Sequence, residues 1–336
     1  MAVDRQAQCH CALDSSKNEP AQAPNWRFTS RGFESTSQHR LAQLLQPNQL
    51  AADDPARLCA YLLESYIAHG SITGIAADTK IEDLLGWSNN LDIQLNTQQM
   101  YHEGSKLGLG SSAALMVTLL GVVHRLMQRH SQTRELNASD AFQIAHSAHQ
   151  ASQGGVGSGL DIATSLTGGV IRFQAGAITP IAWPQELGHL FVYAGVPAST
   201  TELVGRFNRW HNNGTPKALN QLKLAAFELA DGAINIDNLQ RYISALKSLD
   251  REAKIGIFSP EHDWVSQLAE RIGVLYKPCG AGGGDLGIAL SDRPTRLAQF
   301  RQAMNDHHTK VATNNTSTNR LATIDLELAP HGLTVG

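Results

Sequence analysis

The stretch KLGLGSSAAL, residues 106–115, sets two glycines and two serines between a lysine and an apolar run. From Leu115 onward, apolar residues recur at helical spacing without proline, which predicts a helix of several turns. The loop therefore stands at a helix N-terminus, where unpaired N–H groups and the helix dipole attract an anion. Either it binds a phosphate, with Lys106 adding positive charge, or its glycines form a tight turn while Ser111 or Ser112 caps a core helix.

Composition bounds the class of protein. The chain has 336 residues, 42% of them apolar and 17% charged, and this length predicts two domains in a compact globular protein. The net charge is −3 and Lys and Arg are scattered, so nucleic acid is a poor candidate for the main partner. The longest apolar stretch, residues 113–123, is too short to span a bilayer, and the N-terminus lacks a signal-peptide core. We expect no membrane partner and a cytoplasmic protein.

Periodicity along the chain predicts strands and helices without regular alternation. Residues 2–13 and 26–34 alternate like strands around a polar loop, which predicts an opening hairpin. Further strands are predicted at 91–96, around the turn at 175–176, at 189–196, on both sides of the glycines near 282, and at the end of the chain. Helices are predicted after Pro55, after the first loop, at 139–152, after 160, between 199 and 271, and at 294–307. The mixture predicts two α+β domains that meet near residue 185.

Two further glycine-rich segments follow. GSGLD at 157–161 places Asp161 in the first turn of a predicted helix, where it is either a helix cap or a functional carboxylate. GAGGGD at 280–285 overlaps a literal G-x-G-x-x-G pattern at Gly282, Gly284 and Gly287, but a strand follows it instead of a helix, so NAD binding is disfavoured. Its glycines offer N–H groups and a close approach for a phosphate or for another segment of the chain.

Taken together, GLGSSAA at 108–114, GSGLD at 157–161 and GAGGGD at 280–285 resemble the motifs of the GHMP kinases in order and spacing. Within that superfamily the chain is most similar to the phosphomevalonate kinases, through Lys106, the segment from Gln153 to Asp161, the AST segment at 198–200 and KPCGAGGGD at 277–285. Ser152 and Cys279 depart from the alanine and serine of that pattern. The resemblance covers nearly the whole chain.

The resemblance implies a two-domain α+β GHMP kinase fold with the active site in the cleft between domains at 1–185 and 186–336. It implies ATP and Mg²⁺ as cofactors and 5-phosphomevalonate as the substrate, with 5-diphosphomevalonate as the product. Asp161 and Lys106 would be catalytic, and Ser112 would help to hold Mg²⁺. The remaining expected contacts are to ATP, from Gly108, Leu109, Gly110, Ser111, Ser112 and Ala113, and to the substrate, from His149, Gln153, Ser158, Ser199, Thr200, Arg206, Gly280, Ala281, Gly282 and Gly283.

Some alternatives stay open. Mevalonate kinase or another small-molecule kinase of the superfamily is the nearest alternative, and a ligand-binding relative without turnover is an alternative of another class. These kinases begin with a strand that carries a glycine-lysine motif, whereas this chain begins at MAVDRQ. We therefore expect an in-frame segment upstream that encodes this strand. The protein is expected to be a monomer or a homodimer.

Overall fold

The computed structural model describes residues 1–14, 25–31, 34–69, 90–130, 135–155, 157–213, 217–232, 234–313 and 321–336. The chain divides into two compact units. The first unit consists of Met1–Tyr101, Gly110–Ile181 and Leu328–Gly336, and the second of His102–Leu109 and Ala182–Glu327. Residues 106–115 are therefore shared, with the lysine in the second unit and the serines in the first. The domain boundary near residue 185 stays a prediction.

A four-stranded sheet forms one layer of the first unit. Its strands are β1 (Gln8–Asp14), β2 (Asn25–Arg31), β3 (Ser35–Arg40) and β4 (Asn90–Asn96), in the spatial order β1-β4-β2-β3. Strand β4 is antiparallel to β1 and parallel to β2, and β3 is antiparallel to β2.

The predicted opening hairpin is wrong, because β1 and β2 are separated by β4. Cys9 of β1 lies opposite Leu95 of β4, while Phe28 of β2 lies opposite Ile93. Alternation identifies a strand and its buried face, but it does not identify the neighbouring strand. Leu91, Ile93 and Leu95 of β4 all enter the core, and this strand is hydrogen-bonded along both edges. The loop predicted at 14–24 falls outside the described residues, apart from Asp14.

Helices cover the sheet of the first unit. They are α1 (Leu41–Leu44), α2 (Arg57–Ala68), α3 (Ser111–His130), α4 (Ala138–Ser152) and α5 (Leu160–Thr167). Helix α3 is the helix predicted after the glycine-serine loop, and the structure starts it at Ser111. Its buried residues, among them Leu115, Val117, Leu119 and Leu120, face several directions. A helix that is apolar on most sides lies inside its unit, so the loop is anchored to the core of the first unit.

The C-terminal segment completes the first unit. Strands β7 (Val170–Gln174) and β8 (Ala177–Ile181) form the hairpin predicted around 175–176. Beside it, the Gly169 N–H donates to the Ala329 carbonyl at 2.7 Å, and the Ala2 N–H donates to the Gly169 carbonyl at 2.7 Å. A Cβ added at Gly121 of α3 would lie 2.9 Å from the Val335 side chain. The last nine residues therefore pack within the first unit, and Val335 lies against helix α3.

The second unit contains an antiparallel sheet in the order β10-β11-β9-β12. The strands are β9 (Gly188–Tyr193), β10 (Leu275–Pro278), β11 (Leu286–Ser291) and β12 (Ala322–Ile324). The helices are α6 (Thr200–Asn213), α7 (Lys217–Asp231), α8 (Ile236–Ala253), α9 (Pro260–Ile272) and α10 (Pro294–Thr313). Every residue of β11 is buried, so β11 is a central strand. A short hairpin of β5 (Tyr101–His102) and β6 (Ser105–Lys106) leads into the glycine-serine loop.

The strands and helices confirm the predicted α+β class, and each element predicted after residue 90 lies where its pattern indicated. Among the helices that the structure describes, none combines the length and the apolar character that crossing a bilayer would require.

Gly168 tests how much stability the C-terminal segment contributes. Gly168 has φ +76°, and a Cβ there would lie 2.2 Å from the backbone of His331. Gly104 has the similar φ of +77° but no heavy atom within 4 Å of an added Cβ. Gly104→Ala should cost about 1–2 kcal/mol from its left-handed backbone alone. Gly168→Ala should cost about 1–3 kcal/mol more, because it also displaces the packed backbone.

The measurement is the thermal unfolding midpoint of each variant, monitored by circular dichroism. Equal midpoints would contradict the packing role of residues 328–336.

Candidate active site

Three polar residues of the first unit meet where helix α3 begins. The Oγ of Ser112 lies 3.0 Å from Nε2 of His149, which belongs to α4. A Cβ added at Gly110 would lie 3.2 to 3.3 Å from the carboxyl group of Asp161. Gly110 also has φ +71°, so glycine suits this position both for its backbone and for the approach of the carboxylate. The predicted residues Ser112, His149 and Asp161 thus lie together.

The imidazole of His149 is neutral near pH 7. Burial lowers the pKa of His149 from its ordinary value of 6.5, against the opposing effect of the Asp161 carboxylate, while His146 lowers it further. A neutral imidazole has one donor and one acceptor nitrogen. Its Nε2 can therefore accept the Ser112 hydroxyl proton, which leaves the lone pairs of that oxygen for another partner.

Helix α4 holds the glycine loop that precedes Asp161. The carbonyl of Gly157 accepts hydrogen bonds from Gln150 Nε2 at 3.1 Å and from His146 Nε2 at 3.4 Å. Gly159 caps α5 with φ +82°, and a Cβ there would lie 2.8 Å from the His146 ring. Asp161 follows in the first turn of α5. Gly159 is therefore the N-cap, while the carboxyl group of Asp161 reaches Gly110.

Two other residues predicted for the substrate lie near this loop but are exposed. Gln153 ends helix α4, and its side chain lies at the surface. The exposed Ser158 accepts the Leu160 N–H at 3.3 Å. Their predicted contact with the substrate stays a prediction.

The glycine turn at 280–284 belongs to the second unit, between β10 and β11. Two of its glycines serve contacts within that unit, since a Cβ at Gly282 would lie 2.5 Å from the Ile257 carbonyl and one at Gly284 2.6 Å from the Val196 carbonyl. A Cβ at Gly280 would meet nothing within 4 Å. The sequence allows these glycines to approach either a phosphate or another segment of the chain. At Gly282 and Gly284 the neighbour is another segment of the chain.

A buried histidine supports this turn. His262 is fully buried, with Nε2 3.0 Å from the Gly284 carbonyl and Nδ1 2.7 Å from the Tyr276 hydroxyl. The carbonyl can only accept, so Nε2 carries the proton and Nδ1 accepts from Tyr276. Burial lowers the pKa of His262 from its ordinary value of 6.5, although the Gly284 carbonyl opposes this. The sequence reasoning did not identify His262, because a single histidine in an amphipathic helix carries no distinctive signal.

The first half of the glycine-serine loop packs on Asp285. A Cβ at Gly108 would lie 2.5 Å from Oδ2 of Asp285. Burial raises the pKa of Asp285, while a hydrogen bond from the Ala198 N–H and the positive charge of Lys106 lower it. Asp285 belongs to the GAGGGD motif, but no site role is predicted for it from the sequence. Its signal was its place directly after a run of glycines.

The AST segment begins helix α6 of the second unit. Ser199 Oγ accepts the Glu202 N–H at 3.4 Å, at the start of this helix. Arg206 forms an ion pair with Glu202 at 2.5 Å and donates to the Ile255 carbonyl at 3.0 Å. Its guanidinium is thus engaged within its own unit. The predicted substrate contacts of Ser199, Thr200 and Arg206 stay predictions.

The sequence is similar to known proteins over part of its length. Residues 72–169 match the family described as GHMP kinases N terminal domain. Phosphomevalonate kinase of Streptomyces sp. (strain CL190) is 29% identical over 230 residues, which are 58% of this chain and 60% of that protein. Mevalonate kinase of Pyrococcus horikoshii is 29% identical over 199 residues, which are 55% of this chain and 56% of that protein. The chain thus spans only 56 to 60% of the length of these curated relatives.

The fold is similar to a solved structure over nearly the whole chain. Streptococcus pneumoniae phosphomevalonate kinase in complex with phosphomevalonate and AMPPNP superposes with a TM-score of 0.64. The match covers 95% of this chain and 89% of that protein, at 15% sequence identity. At this identity the likeness shows the fold alone.

The buried His262 predicts a loss of stability in mild acid. Because the folded-state pKa of His262 lies below 6.5, the unfolded chain takes up this proton more readily. The contribution is fully present above pH 6.5 and is lost as the pH falls toward the folded-state value. The thermal midpoint should therefore fall between pH 7 and pH 5.5 by a smaller amount in His262→Gln than in the wild type.

His124 and His149 have lowered pKa values for the same reason, burial, so part of the fall remains in the variant. The two midpoints at pH 8 serve as the reference for each protein. An identical fall in both proteins would refute the role of His262.

Proposed function

We propose that this chain, which has the GHMP kinase fold and carries a GHMP kinase N-terminal domain, transfers the γ-phosphoryl group of ATP to 5-phosphomevalonate. Its relatives in sequence and its neighbours in fold are GHMP kinases, which are phosphotransferases. The observation that carries the proposal is the meeting of Ser112, His149 and Asp161 at the start of helix α3. The product would be 5-diphosphomevalonate.

The ATP phosphates are assigned to the glycine-serine loop. Helix α3 begins at Ser111 and is held in the core of its unit, so its first N–H groups and its dipole are fixed in direction. Phosphoryl transfer depends mainly on positioning and on neutralising charge. Lys106, an exposed cation of the second unit, is assigned to the same phosphates by its place in the sequence.

The residues beside the loop fit Mg²⁺. Within the described ranges, no group of three or more His, Cys, Asp and Glu side chains is placed to hold a metal ion. Mg²⁺ suits this arrangement, because it keeps several waters and binds through one or two protein oxygens together with substrate phosphates. We assign the hydroxyl of Ser112 to the ion, with its proton donated to Nε2 of His149. When bound, Mg²⁺ would neutralise charge on the transferring phosphate.

Asp161 is assigned to the attacking oxygen of the substrate. Its carboxyl group lies against Gly110, within the reach of a group bound at the loop. The attacking oxygen of a phosphate monoester is largely ionised near neutral pH. Asp161 therefore acts more by orienting this oxygen than as an obligatory base.

Mevalonate kinase is the second candidate, supported by the relative from Pyrococcus horikoshii at the same 29% identity. A ligand-binding relative without turnover is the candidate of another class. Both candidates would have the same glycine-serine loop. The identity of the phosphate acceptor distinguishes mevalonate kinase from the proposal, and the presence of turnover distinguishes the ligand-binding relative.

Ser112→Ala tests the assignment of the loop. Removing the hydroxyl should lower kcat/KM for Mg·ATP by about a hundredfold or more, since charge-stabilising groups in such sites contribute this much. Thr118→Ala is the matched control, because Thr118 lies on the same helix and its hydroxyl donates to the Leu115 carbonyl. The measurement is ADP release in a coupled assay. Unchanged kinetics in Ser112→Ala would remove the metal role of this serine.

The acceptor is tested with 5-phosphomevalonate and mevalonate side by side. A site built to bind a phosphate group rejects an analogue that lacks it, so the preference for 5-phosphomevalonate should be about a hundredfold or more. Asp161→Asn should lower turnover without abolishing it while Mg·ATP still binds, since orientation is only part of catalysis. Equal or better kcat/KM on mevalonate would favour mevalonate kinase. Binding of ATP without turnover on either acceptor would favour the non-catalytic relative.

A further inference from the structure

Asp285 has a left-handed backbone conformation at the end of the connection between β10 and β11. Outside glycine, the described residues with positive φ are Glu34, Glu103, Ala175, Lys254 and Asp285. The first three lie in hairpin turns, and Lys254 ends helix α8. Asp285, with φ +55°, ends the connection between the antiparallel strands β10 and β11 and stands directly before the buried strand β11. A non-glycine residue persists in this region when its surroundings hold it there, and such residues cluster at functional sites.

The surroundings hold the backbone of Asp285 on both sides. Its N–H donates to the Val196 carbonyl at 2.8 Å, and its carbonyl accepts the Ala194 N–H at 2.7 Å. The preceding carbonyl, that of Gly284, is bonded to the buried His262. The direction of the Asp285 side chain is therefore fixed by the sheet and by the histidine beneath the turn.

Three groups of the second unit contact this side chain or act on its charge. The Ala198 N–H donates to its carboxylate, the positive charge of Lys106 acts on it, and Oδ2 packs against Gly108. Gly108 has φ +72°, and a Cβ there would overlap the carboxylate at 2.5 Å. One half-buried carboxylate thus contacts the AST segment and the first half of the glycine-serine loop.

We propose that Asp285 is a positioning residue that holds Lys106 and Gly108 in place on the second unit. Segment 102–109 reaches this unit from a chain that otherwise runs in the first unit on both sides, so it needs an anchor there. The carboxylate attracts the positive charge of Lys106 and packs closely against Gly108. The part of the proposal that concerns phosphate rests on the proposed function, since Lys106 is assigned to the ATP phosphates.

The first test needs no ligand. The protein is treated briefly with an amine-acetylating reagent, and mass spectrometry compares acetylation of Lys106 with that of the exposed Lys223. Asp285→Asn keeps the shape and tolerates the left-handed backbone, whereas Asp285→Gly removes both the side chain and its strain. Both variants should raise the relative acetylation of Lys106 about two- to fivefold, because the amine loses its carboxylate. Glu34→Gln, which removes a carboxylate from a left-handed residue in a hairpin turn, should leave it unchanged.

The second test is a double-mutant cycle with Lys106→Met. Asp285→Asn should lower kcat about ten- to a hundredfold with little change in KM, as expected when a transition-state contact is misplaced. In the Lys106→Met background the same change should lower kcat less than about threefold, because interacting residues are not additive. Additive losses, or unchanged acetylation in both Asp285 variants, would overturn the positioning role.

The two tests separate this proposal from the proposed function. If the wild type has no turnover but acetylation of Lys106 rises in both variants, the function fails while the anchoring of Lys106 by Asp285 stands. If the wild type turns over and the cycle is additive, the positioning role fails and the function stands. The thermal unfolding midpoint of each variant is measured first, to show that the variant is folded.

Discussion

The close approach of the Asp161 carboxyl group to Gly110, with the hydrogen bond from Ser112 to His149, joins three helices of the first unit at one point. Helix α3 provides the serine, α4 the histidine and α5 the aspartate. Each helix is fixed by its own burial, and the glycines at 110 and 159 let the backbones and side chains come close enough. A bulkier residue at either position would separate groups that the proposed chemistry needs together.

Four glycines of these segments form two pairs by what they contact. Gly110 and Gly108 each face a carboxylate, whereas Gly282 and Gly284 face backbone carbonyls of the second unit. The sequence shows only that glycines are frequent in these segments. Contacts in three dimensions show which of them leave room for a charged group and which allow two stretches of backbone to pack. A glycine-rich motif is therefore partly structural even where the segment as a whole belongs to a site.

Much of the fold could be predicted because periodicity reports which face of an element is buried. The helix after Ser112 and the two strands around the turn at 175–176 are examples, since each has a regular pattern ended by glycine or polar residues. The pairing of β1 with β4 could not be predicted, because about 80 residues separate them and alternation does not specify a partner. In the site, the motifs indicated Ser112 and Asp161, and the resemblance added His149. Asp285 and His262 act through contacts with residues distant in the sequence, so only the structure identifies them.

The two ends of the described chain meet in the first unit, where residues 328–336 lie beside Ala2 and Gly169. During synthesis, more than 140 residues of the second unit emerge after Ile181 and before this segment. The first unit therefore cannot finish packing helix α3 until residues 328–336 have left the ribosome. The second unit, in contrast, is complete at residue 327. It can therefore fold before the first unit has made its contacts with residues 328–336.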